Sequence, residues 1–120
     1  MYSDIQLSTD VETASPHQLI QMLYQRCLQE IKQGKAAIVE KNHVRKFKAL
    51  NKAVDIVEHL QACLKENEPQ ATELVKQLQT SYTAVVKYCL NAALTGDVTN
   101  LDHAEKIMGN IKSGWDGISR

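Results

Sequence analysis

Four histidines and three cysteines are the side chains of this sequence best suited to hold a metal or attack a substrate. A zinc site gathers such residues in closely spaced pairs, and a cysteine nucleophile needs a base and a group to orient that base. His17, His43, His59 and His103 fall on different segments, with no HExxH and no paired Cys/His spacing. Cys27, Cys63 and Cys89 form no CxxC pair, and no secretory signal precedes them. They read as reduced thiols packed in a cytosolic protein, and the histidines as surface residues. No glycine-rich phosphate loop or GxSxG elbow occurs. The expectation is a protein with no catalytic residue, metal, cofactor or small-molecule substrate.

One histidine carries a specific alternative. HAEKIMG, His103 to Gly109, places Lys106 three residues after the histidine, as in histidine phosphotransfer bundles. Those bundles need a small residue at the fourth position, where a response regulator approaches, and Ile107 stands there. A solvated helical histidine is the favoured reading, with phosphotransfer through His103 as the alternative.

Charge narrows the partners. Lys41, His43, Arg45, Lys46, Lys48 and Lys52 make a basic cluster, yet fourteen basic and fourteen acidic side chains cancel over the chain. Without an overall positive field or an accompanying set of stacking aromatics, the cluster reads as a solvated helix face and no nucleic acid is expected. No apolar run is long enough for membrane insertion.

The elements that would position these residues are helical throughout. Ser15 and Pro16, with Gln18 three residues after the serine, form a capping box with proline at the first helical position. From there Ile20, Tyr24, Cys27, Ile31, Gly34 and Ile38 recur in steps of four and three, the seam of a packed helix. Asn42 caps a second helix with a seam at Phe47, Leu50, Val54, Val57 and Leu64. Pro69 suits the start of a third, whose seam runs Ala71, Val75, Leu78, Tyr82, Val85, Cys89 and Ala92 and stops at Gly96. Asp97 opens a fourth, with Leu101, Ala104, Met108, Ile111 and Trp115. The spacing predicts helices over about 16–41, 43–66, 69–95 and 98–117. The fold class is all-α: an antiparallel up-down four-helix bundle over 15–120, preceded by an N-terminal arm over 1–14.

Two features exceed what a closed bundle requires. Beside its seam, the second helix carries another row, Ala49, Ala53, Ile56, Leu60 and Cys63, and the third adds Val86, Leu90 and Ala93. These are either broad core faces or an apolar groove between helices two and three, open to an amphipathic partner helix. The arm holds Tyr2, Ile5, Leu7 and Val11, which could fold over an empty groove or simply fray.

TASPHQLIQMLY, Thr13 to Tyr24, resembles the opening of the flagellin-specific export chaperones, the FliS family. The resemblance continues through KAVDIVEHL (Lys52 to Leu60), Leu78 and Tyr82, AALTGDVTNL (Ala92 to Leu101), Trp115, and the N-terminal Tyr2. It implies a cytoplasmic four-helix chaperone without catalysis or cofactor. Such a protein binds the C-terminal region of flagellin in apolar grooves, blocks premature polymerisation, and delivers it to the flagellar type III export gate. On that reading Ile56, Leu60, Leu78, Tyr82 and Val86 are assigned to the client-binding groove, and Tyr2, Ile5 and Leu7 to a cap over it. A generic helical adaptor is the remaining alternative.

Overall fold

In the computed structural model, residues 14–67 and 72–118 are described. They form four helices: α1 (Pro16–Glu40), α2 (His43–Asn67), α3 (Glu73–Thr95) and α4 (Thr99–Asp116). The main packing runs α1 to α2, α2 to α3, α3 to α4 and α4 back to α1, the ring of an up-down bundle.

Each helix end has a local cause. Ser15 Oγ accepts the Gln18 N–H at 3.1 Å while Gln18 Oε1 accepts the Ser15 N–H at 2.8 Å, so the capping box is complete. At the other end Lys41 takes the left-handed conformation, φ 57°, and lets the Asn42 N–H reach back to the Ala37 carbonyl at 2.9 Å. Asn42 Oδ1 then accepts the Arg45 N–H and starts α2. Gly96, φ 72°, ends α3, and Asp97 Oδ1 accepts the Thr99 N–H at the head of α4. The third helix opens later than the sequence suggests. Thr72 accepts the Val75 N–H and sets the start at Glu73, while Pro69 lies outside the described residues.

The α1, α3 and α4 seams are core at most of their length. Cys27, Ile31, Val85, Cys89, Leu101 and Met108 are fully buried. In α2 the core face is turned from the expected seam. Leu50 and Val57 are buried together with Ala49, Ala53, Ile56 and Leu60, the row that stood as a candidate outer face. Phe47, expected inside, is 43% exposed, with the Lys46 ammonium 4.6 Å from its ring centre. The alanines explain the turn: small side chains let α2 approach its neighbours closely, and the wide face is spent on core.

The tightest approach is at Gly34 of α1. A Cβ there would sit 2.5 Å from Leu50 Cδ2 and 3.0 Å from Leu50 Cγ. Ion pairs and hydrogen bonds tie α1 to α4 at both ends. Lys35 Nζ meets Asp102 at 2.8 Å and Glu105 at 3.1 Å; Gln21 Nε2 donates to Asp116 at 2.9 Å and Trp115 Nε1 to the His17 carbonyl at 3.0 Å.

Two glycine substitutions separate close packing from helix propensity. Gly109→Ala in α4 meets nothing within 4 Å and should stabilise by about 0.5–1 kcal/mol in urea unfolding. Gly34→Ala gains the same propensity but must displace buried Leu50, a cost of about 1–3 kcal/mol, so the net change is destabilising. Equal stabilisation by both would show that the α1–α2 approach is looser than described.

Candidate functional site

All four helices contribute to an open cleft of about 400 Å³ at the end of the bundle where α1 begins. Pro16, Ile20 and Tyr24 come from the first turns of α1, and Leu60, Cys63 and Leu64 from the end of α2. Leu78 and Tyr82 of α3 and Trp115 of α4 complete it. Helix direction explains the composition. α1 and α3 start at this end while α2 and α4 finish there, so side chains far apart in sequence converge.

The floor is a pair of phenols. Tyr24 and Tyr82 are each 3% exposed, and their hydroxyl oxygens lie 2.7 Å apart in a hydrogen bond across the bundle. Burial raises the pKa of both above the ordinary tyrosine value. Trp115 is held as a wall: its ring stacks on His17 with centroids 4.7 Å apart, 15° from parallel, and meets Tyr24 edge-on at 6.3 Å. Beyond the tryptophan, Lys112 and then Gln21 bond the Asp116 carboxylate and hold its pKa below the usual range. This geometry offers an apolar, aromatic receptor with a hydroxyl at its base.

A second apolar feature runs along the outside of α2 and α3. Val54 and Val86 are half-buried against the core, Phe47 and Leu90 are 43% and 46% exposed, and Leu94 is 80% exposed. Helical spacing sets Phe47 and Val54 on one side of the α2–α3 seam and Val86 and Leu90 on the other. Gln61 Nε2 donates to Thr83 Oγ1 at 3.4 Å farther along the same seam, toward the cleft.

The residues assigned to a groove from sequence divide among these places. Leu60, Leu78 and Tyr82 line the cleft, although Leu60 and Tyr82 are also core. Val86 belongs to the outer seam, and Ile56 is core. Tyr2, Ile5 and Leu7 lie outside the described residues. Sequence reasoning placed Ile20, Leu64 and Trp115 in packing seams without seeing that those seams meet in a cleft. The signal was positional: all three stand in the last or first turns of helices that share one end.

The other reactive residues stay apart. His103 is exposed, with its ring 5.1 Å from that of Tyr88, and Ile107 is half-buried beside the core. Among the described residues no three His, Cys, Asp or Glu side chains gather as metal ligands. The basic cluster is dispersed: Arg45 bonds Glu40 at 2.6 Å and also Gln33, and Lys46 is buried along its stem. Among the described residues no helix is long and apolar enough to cross a membrane.

The family model described as "Flagellar protein FliS" matches residues 1–120. The chain belongs to the FliS family. It is 32% identical over 117 residues to the flagellar secretion chaperone FliS of Vibrio cholerae, covering 98% of this chain and 85% of the relative. It is 30% identical over 118 residues to the flagellar secretion chaperone FliSB of Pseudomonas aeruginosa, covering 98% and 92%. The FliS of Salmonella typhimurium, also a flagellar secretion chaperone, is 29% identical over 119 residues, covering 98% and 87%. FliS proteins are therefore chaperones of flagellar export, and the cleft and outer seam described above belong to a FliS-family bundle.

The buried thiols of this bundle make its stability depend on alkaline pH. Burial pushes the Cys27 thiol up from 9.0 to about 12, with Cys89 and Glu30 adding to the rise, and burial does the same to Cys89. Both folded values lie above the unfolded ones, so the stability they contribute is whole below about pH 9 and lost as pH climbs toward 12. Urea midpoints should be level near neutrality and fall above pH 9, and the fall should shrink in a Cys27→Ala, Cys89→Ala variant. An unchanged slope in that variant would assign the alkaline loss to other groups.

Proposed function

We propose that this FliS-family chaperone binds the C-terminal segment of flagellin in the cytosol, keeps it from polymerising, and delivers it to the flagellar type III export apparatus. The observation that carries the reading is apolar surface left uncovered in two places, along the α2–α3 seam and in the cleft at the α1 end. A segment that assembles through amphipathic helices must keep its apolar faces apart until assembly, and a helix laid into such a seam covers them. Each Å² of apolar surface buried contributes roughly 25 cal/mol, against about 2–5 kcal/mol for ordering a disordered client. The balance favours a complex that protects and still releases.

Tyr2, Ile5 and Leu7 act in this reading as a cap over the empty site. Its geometric support is the point of departure. Residue 14 immediately precedes the capping serine, and Pro16 already lines the cleft. The preceding segment is thus tethered at the rim of the space it would cover.

Titration calorimetry with a peptide spanning the C-terminal segment of flagellin should show stoichiometric binding with a strongly negative heat-capacity change. Leu90→Asp, on the exposed seam, should weaken it at least tenfold while circular dichroism stays helical. Leu60→Asp should unfold the bundle instead, because Leu60 is buried. An intact wild-type bundle that binds no flagellin peptide would overturn the proposal.

A further inference from the structure

The outer α2–α3 seam carries an unpaired charge on each wall. The Gln61–Thr83 hydrogen bond fixes the relative level of the two antiparallel helices. From it, Glu58 lies three residues back along α2 and Lys87 four residues on along α3, roughly 4.5 and 6 Å toward the same end of the bundle. The two side chains therefore stand at nearly one level. Their spacing also keeps them on the seam side: Glu58 neighbours Val54 and Gln61, and Lys87 neighbours Thr83 and Leu90. Both are exposed, and among the described residues neither makes an ion pair. Val54 and Val86, half-buried against the core, flank the seam inside them. Lys76, eleven residues before Lys87 on the same stripe, adds a second cation to the α3 wall. The seam is thus an apolar floor with an anionic wall on α2 and a cationic wall on α3.

We propose that this seam takes an amphipathic client helix in one direction only, with the basic flank of the helix along α2 and its acidic flank along α3. The inference rests on the flagellin-binding reading above and adds the feature of the client that the groove selects. An apolar stripe by itself has no direction, since a helix laid into a groove covers much the same area either way round. Charges on the flanks break that symmetry, because turning the helix end for end exchanges its left and right sides. With Glu58 and Lys87 facing each other across the floor, one direction brings opposite charges together on both walls. The reverse direction sets like charges together on both walls and is penalised. Each contact at a solvated rim is weak, but the choice of direction counts all of them. Direction is therefore fixed without the strong binding that would oppose release.

Two synthetic helical peptides of identical composition test this on the full-length chain. Both carry one leucine face; the first has lysines along one flank and glutamates along the other, and the second mixes them on both flanks. Calorimetric titration at low ionic strength should show the first binding about fivefold tighter than the second. The preference should vanish in a Glu58→Gln, Lys87→Gln variant and fade in roughly 0.5 M salt. A nitroxide at either end of the split-flank peptide reads the direction by magnetic resonance. One end should broaden the amide signals around Leu94 and the other those around Gln79, and Glu58→Lys with Lys87→Glu should exchange the two patterns. Equal affinities for the two peptides, failure of both to bind, or a broadening pattern that the charge exchange leaves in place would overturn the inference. The C-terminal peptide of flagellin is titrated alongside. If it binds while any of those results holds, the directional groove falls and the chaperone reading stands. A flank preference in a chain that binds no flagellin peptide would support the directional groove and sink its assignment to flagellin.

Discussion

A hydrogen bond between two phenols on helices that are not sequence neighbours sets the character of the open end of this bundle. Tyr24 and Tyr82 meet across the core from α1 and α3, at 2.7 Å, where aliphatic side chains would have filled the volume and closed it. Two rings joined at their hydroxyls reach far but leave space beside them, and that space is the cleft. The rest of the end is arranged around it. Trp115 is pinned by the His17 carbonyl and stacked on the His17 ring, and Asp116 is anchored by Gln21 and Lys112. The last turn of α4 thus cannot slide over the opening without breaking several contacts at once.

The inner and outer faces of the α2 side of the bundle differ in how they spend apolar side chains. Near the α1–α2 turn, Gly34 admits Leu50 and the helices lie close, with no room between them. On the outer α2–α3 seam the same sequence leaves Phe47, Leu90 and Leu94 facing solvent. A closed monomer gains nothing from that exposure, and on the proposed reading it is the surface offered to a client.

Much of the fold was legible because its causes are local. Ser15, Pro16 and Gln18 cap α1 through atoms within one turn, and Gly96 stops α3 by its own backbone conformation. The seams of α1, α3 and α4 follow from a period that a bundle imposes on any helix. What was not legible is rotation. Which of two adjacent apolar rows of α2 faces inward depends on the volumes opposite, here Gly34 and the small residues of neighbouring helices, and these are far off in sequence. Ile56 was therefore assigned to a groove and lies inside, Leu60 is buried where it borders the cleft, and Phe47 was placed inside and lies half out. The cleft was hidden for a related reason. It is made of helix ends, and periodicity describes helix middles.

The chain has one tryptophan, and it stands in the wall of the cleft. Its indole is half-buried, stacked on an imidazole, and hydrogen-bonded to a main-chain carbonyl. Its ultraviolet emission therefore originates at the opening itself, and occupancy of the cleft alters the polarity and quenching around that one fluorophore. The unlabelled molecule carries an optical gauge of whether that cleft is filled.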